Sequence, residues 1–294
     1  MSPRTRAEFY LIAITFIWGS TFVFIKILLN DVSPLLYTTI RFSLASLLLT
    51  GMFYRRIRRL NRRSAQQGFV LGLLLALGFS LQTVGLQFTS ASKSAFFTGM
   101  LVVFTPICQI FIERRPPKFG NVLGVIIVTL GLILLTSPEG SAFNLGDGLT
   151  LMAAFLFGLY IVYLDIFGKE SDSAQLTWMQ FVTSAAFGAV ALLLFETPRL
   201  NVTLFGFGAI GYLVVFATVI AIYVQSNYQK ETTPTRSAII FSIEPVIAAG
   251  LSYIFLGEVL GWQGILGACL IFGGLLVSEL SDLIFRNSRG SLED

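Results

Sequence analysis

The 294-residue chain has no histidine, only two cysteines (Cys108 and Cys269), and 12% charged residues. Without imidazole, H-E-x-x-H zinc sites and nucleophiles activated by histidine are excluded. A G-x-S-x-G elbow and a Walker A loop are also missing, so the usual signatures of hydrolysis and of ATP-driven work are absent. No catalytic residue, cofactor or metal site is expected, and the chain is read as a non-enzyme. Both cysteines fall in apolar runs and are expected to pack as small apolar side chains. Soluble domains carry about a quarter charged residues, and this chain has half that share.

What fills the chain is apolar: 55% of it is hydrophobic and the mean hydropathy is +0.79. At ~20 residues per crossing the length allows about ten transmembrane helices. The fold class expected is an all-α polytopic membrane protein, embedded in the lipid bilayer. The expected spans are 9–29, 35–53, 68–88, 94–112, 120–136, 148–167, 175–195, 204–228, 237–255 and 263–285. The first is too long for a secretory h-region and is followed by no A-x-A-like site, so it reads as an uncleaved span.

Six arginines (Arg55, Arg56, Arg58, Arg59, Arg62, Arg63) separate the second and third spans, and Arg114, Arg115 and Lys118 separate the fourth and fifth. The opposite connections hold only Lys93 and Arg199. The lysine and arginine bias places both termini in the cytoplasm, in a cell (inner) membrane. The net charge of +4 is a topological signal rather than a sign of nucleic-acid binding.

The chain also repeats. Trp18–Ile27 (WGSTFVFIKI) aligns with Phe157–Ile166 (FGLYIVYLDI) at an offset of 139, which also sets Arg41-Phe42 on Gln180-Phe181. At an offset of 143, Lys93-Ser94-Ala95 falls on Arg236-Ser237-Ala238, and Gly124 and Gly131 on Gly267 and Gly274. This predicts two five-helix repeats, 1–141 and 142–294. Since five is odd, the halves insert with opposite orientation, an arrangement that permits alternating access.

Glu244, followed by Pro245, lies inside the ninth span, about 11 Å from Ser237 along the helix. A carboxyl group at that depth costs at least ~2.5–3.5 kcal/mol on insertion scales, and Pro245 is expected to bend the helix. Glu244 is either a proton carrier or partner for a cationic group, or a hydrogen-bonded acid that stiffens the break. Proton coupling is therefore an open expectation. Trp18, Gln82, Thr98, Tyr160, Tyr223 and Gln225 are candidate cavity residues, suited to solutes with an apolar body and a polar head.

Lys26, Arg41 and Asp165 are candidate gating charges. For Lys26 the favoured alternative is snorkelling to the interface. Arg41 is expected to pair with a carboxylate or carbonyl inside the bundle. The phenylalanines are expected mostly to face lipid. Gly120, Gly124, Gly131, Gly264, Gly267 and Gly274 are expected to allow close helix approach.

WGSTFV…K in the first span, R-F in the second, TSASKSAFFTGMLVVFTP…ER around the fourth and PTRSAIIFSIEPVIAAGLSYIFLGE in the ninth carry a resemblance. On these motifs the whole chain resembles the drug/metabolite transporter superfamily, in its EamA-type branch. The resemblance implies ten helices, both termini inside, and movement of small metabolites, often outward. The expected function is export of amino acids or similar small amphipathic metabolites. The alternatives are efflux of drugs or toxic organic cations, and, in a different class, an intramembrane enzyme or a lipid-interacting protein. A monomer suffices for such a mechanism, and the oligomeric state stays open.

Overall fold

A computed structural model of the chain describes residues 2–114, 116–135, 143–258 and 261–290, with side chains through 278. The described residues form ten helical spans, and the protein is an all-α polytopic membrane protein. Eight spans are long and apolar enough to cross a bilayer: α1 (Pro3–Leu28), α2 (Pro34–Ile57), α3 (Arg62–Phe88), α4 (Ala91–Glu113), α6 (Leu145–Gly168), α7 (Ser173–Phe195), α8 (Leu204–Glu231) and α9 (Pro234–Leu256). The other two, α5 (Phe119–Leu135) and α10 (Trp262–Gly290), have shorter apolar stretches.

Each expected span coincides with one of these. Thr136 and Arg115 lie outside the described residues. The arginine-rich connection is tighter than expected, because α2 runs on to Ile57 and α3 starts at Arg62. Arginine is a good helix former, so a basic helix end needs no unwound loop.

Side-chain caps start the helices. Ser2, Asn61, Ser90, Asp172, Thr203 and Thr233 each accept a backbone N–H of their helix's first turn, and Asn144 and Asp147 form a reciprocal capping box on α6. Such caps matter in lipid, where an unsatisfied backbone group has no water to turn to.

Two spans are broken. In α9 the helix ends at Phe241 and restarts at Glu244, with Pro245 in the new first turn, where a missing N–H costs nothing. In α4 the break falls between Gly99 and Leu101; the sequence predicts a continuous helix here. The breaks face each other: a Cβ on Gly99 would sit 2.7 Å from Cγ of Pro245. In α8, residues Val215–Ile220 adopt π-helix.

The glycines act as expected where α5 and α10 cross. A Cβ on Gly131 would lie 2.7 Å from the Gly267 carbonyl oxygen, and one on Gly124 2.9 Å from that of Gly274. Nothing lies within 4 Å of a Cβ on Gly273. Gly131→Leu is therefore expected to destabilise the purified protein by about 1–3 kcal/mol through overpacking. Gly273→Leu should leave the melting temperature in detergent unchanged. Equal melting temperatures for the two variants would contradict the packing described.

Cys108 is buried, whereas Cys269 lies exposed on α10 rather than packed inside. The phenylalanines divide more evenly than expected. Phe111 and Phe195 are exposed on the outer surface, but Phe22, Phe42, Phe157, Phe181 and Phe241 are buried. Rings also fill the bundle's interior, where Phe79 packs edge-on to Phe157 and tilted against Phe42.

Candidate functional site

Six spans line a pocket with about 520 Å³ of empty space, part of it open to the surroundings. Trp18 and Thr21 of α1, Thr98 and Leu101 of α4, and Phe241 and Glu244 of α9 form one part of its wall. Phe79 and Gln82 of α3, Phe157, Tyr160 and Ile161 of α6, and Gln225 of α8 complete it. The broken helices present Thr98 and Leu101, and Phe241 and Glu244, to the same cavity from either side of their interruptions.

Close backbone approach draws these spans together. A Cβ on Gly19 would be 2.6 Å from Cβ of Ile247, and one on Gly158 would be 3.1 Å from Cβ of Phe104. The two glycines thus let α1 lie on α9 and α6 lie on α4. Trp18 is held beside Gly19 by donating from its indole N–H to the Ala217 carbonyl at 3.0 Å, with its ring 5.3 Å from Phe241.

The polar lining groups differ in how free they are. Gln82 donates to the Thr98 hydroxyl at 2.9 Å, and the Tyr160 hydroxyl donates to Gln180 Oε1 at 2.9 Å. Gln225 donates to Gln229, which in turn donates to the Ile161 carbonyl. Glu244 is only 8% exposed, and among the described residues its carboxyl group has no hydrogen-bond or ion-pair partner. A buried carboxyl group left unpaired on a cavity wall is costly unless a ligand or a proton meets it. The site is therefore suited to receiving a cationic or hydrogen-bond-donating group.

Of the residues singled out in the sequence, Trp18, Gln82, Thr98, Tyr160, Gln225 and Glu244 come together here. Tyr223 does not; its ring packs 4.8 Å from that of Phe53. Arg41 lies one layer behind the wall, its guanidinium 4.4 Å from the centre of the Phe79 ring. It donates to the Thr218 hydroxyl at 2.5 Å and to the Ala217 carbonyl at 3.3 Å, so it fastens the π-helical turn of α8. No carboxylate reaches it among the described residues.

Lys26 spends its ammonium group on the C-terminal end of α3. It donates at 2.7 Å to the Leu86 and Thr89 carbonyls, which end α3 without helical partners. Asp165, 1% exposed, pairs with Lys169 at 2.6 Å. Lining residues that sequence reasoning missed include Thr21, Phe79, Leu101 and Phe241. The repeat offers a signal for some of them: an offset of 139 sets Thr21 on Tyr160, and 143 sets Leu101 on Glu244 and Thr98 on Phe241.

The sequence model of the EamA-like transporter family matches residues 5–137 and again 144–280. An uncharacterized transporter from Archaeoglobus fulgidus is 31% identical over 94% of this chain and 87% of its own length. The uncharacterized transporter YoaV of Bacillus subtilis is 21% identical over 92% of this chain and 96% of its own. One crystal structure superposes with a TM-score of 0.78 at 17% identity, covering 94% of this chain and 97% of that one, a likeness of fold.

Proposed function

The chain belongs to the EamA-like transporter family, and from that premise we propose that it exports amino acids or similar small amphipathic metabolites across the cytoplasmic membrane, with both termini inside. Transport proceeds by alternating access between two inverted halves, 1–141 and 142–294. The observation that carries the solute class is the unpartnered Glu244 carboxyl group on an otherwise aromatic and amide-lined wall. Glu244 receives an ammonium group, Trp18, Phe157 and Phe241 cover the apolar body, and Gln82 and Gln225 bond the polar head.

Support for inverted halves comes from the lining itself. Offsets of 139 and 143 pair Trp18 with Phe157, Thr21 with Tyr160, Gln82 with Gln225, Thr98 with Phe241, and Leu101 with Glu244. A cavity lined by such pairs sits on the axis that relates the halves. The contacts agree: Gly19 of α1 meets α9, and its counterpart Gly158 of α6 meets α4. Within the pairs Glu244 stands opposite Leu101, so a single acidic pole breaks the symmetry.

The test is a solute counterflow screen in proteoliposomes at two pH values. Amino acids or related zwitterions are expected to exchange, with a rate that changes between the two pH values. Exchange confined to organic cations without a carboxylate would replace this reading with drug efflux. Absence of any exchange, with lipid modified or flipped instead, would end it.

A further inference from the structure

We propose that two equivalent three-residue clusters, Thr89–Lys93–Asp147 and Thr232–Arg236–Glu8, are latches that hold the outer and inner ends of the cavity shut and open in turn. The inference rests on the alternating-access reading above and adds to it the residues that set which face is open.

In the first cluster, Lys93 Nζ lies 2.7 Å from Asp147 Oδ2, and the Thr89 hydroxyl donates to Asp147 Oδ1 at 2.6 Å. In the second, Arg236 Nε lies 2.8 Å from Glu8 Oε1, to which the Thr232 hydroxyl donates at 3.3 Å. The offset of 143 carries Thr89 to Thr232 and Lys93 to Arg236, while 139 carries Glu8 to Asp147. All three members of one cluster thus recur in the other, at the offsets that relate the cavity residues. A stray pair of surface charges has no reason to be reproduced so completely.

Each latch joins a span of one half to a span of the other. Lys93 begins α4 and Asp147 begins α6, at the outer end of the proposed topology; Glu8 is near the start of α1 and Arg236 begins α9, at the inner end. Thr98 and Phe241, each five residues beyond the basic member, line the cavity. That separation is about 7.5 Å along a helix, so parting a latch moves the cavity wall directly.

The pairs are well shielded. The Asp147 side chain is 0% exposed and that of Arg236 4%. Shielded, charge-assisted bonds are strong enough to bias a two-state equilibrium, unlike exposed pairs. Both are made in this structure. A protein open to one side must release one latch, and keeping the other closed prevents a through-pore. Each acidic member has a further bond: Asp147 also accepts from the Asn144 backbone, and Glu8 from Arg4. These keep the carboxylates satisfied when the basic partner leaves.

The test uses Leu101→Cys as a cavity reporter, with Cys108→Ala and Cys269→Ala, labelled by a membrane-impermeant maleimide from either face. The reporter alone should react from both faces. Lys93→Gln is expected to raise the outer-face rate about tenfold and lower the inner-face rate. Glu8→Gln should do the reverse, and Lys93→Arg should restore the reporter's rates. If a charge variant fails to fold, Thr89→Val and Thr232→Val keep every charge and should show smaller biases of the same two signs. Biases of the same sign on both faces, or none, would overturn the latches while leaving alternating access standing. A reporter that reacts from one face only would overturn both.

Discussion

Glu244→Gln is expected to raise the half-saturation concentration of the solute identified by counterflow roughly 10–100-fold and to flatten the pH dependence of exchange. The magnitude follows from one hydrogen bond to a charged group, ~1.5–3 kcal/mol, with each 1.4 kcal/mol worth tenfold. Glutamine is nearly isosteric and keeps a hydrogen-bonding head, so folding and yield should be retained. Glu244 has no protein partner among the described residues to lose, which separates this substitution from one that breaks a structural contact. Leu101→Glu, at the paired position, offers the converse: a second acid across the same cavity. Exchange kinetics in Glu244→Gln equal to wild type at both pH values would remove Glu244 from the mechanism and leave it a structural acid beside a helix break.

Gly99→Leu should abolish exchange while the protein remains folded in the membrane. The Pro245 ring already occupies the space: a bare Cβ would approach its Cγ to 2.7 Å and Leu132 Cδ2 to 3.1 Å. The Pro245 ring is rigid and cannot swing aside, so the two broken helices must separate. Overpacking of this kind costs about 1–3 kcal/mol, and here it acts where α4 and α9 meet at the cavity. Gly250→Leu is the control, since a Cβ there meets nothing within 4 Å. Normal exchange by Gly99→Leu would show that the contact between the breaks does not matter to function.

Much of the fold can be read in the chain because membrane insertion writes a coarse code. Long apolar runs give the spans, and capping residues mark where helices start. Glu244 and Pro245 announce the break in α9 because a charge and a missing N–H are both visible in one-letter form. The break in α4 is not visible. Gly99 is a weak helix breaker by itself, and its close approach to Pro245 of another span, 146 residues away in sequence, emerges only in three dimensions.

The candidate site was legible where residue type alone was unusual, as for Gln82, Gln225 and Glu244. Tyr223 has the right chemistry but sits on a face packed against Phe53, and helix rotation cannot be deduced from composition. Phe79 and Phe241 were lost among many phenylalanines, although their positions on α3 and α9 line the cavity. In the sequence Lys93 and Arg236 mark the repeat, and Lys93 also marks one of the connections opposite the arginine-rich ones. Their acidic partners Asp147 and Glu8 come from other spans, so the pairing emerges only in three dimensions.

Solute is expected to sit where α4 and α9 cross. This is tested most directly by Thr98→Cys in a background without Cys108 and Cys269, alkylated with and without the solute found by counterflow. The solute is expected to slow alkylation from either face of the membrane, at concentrations near its half-saturation for exchange. Undiminished alkylation at saturating solute, in protein that still exchanges it, would place the transport pathway elsewhere.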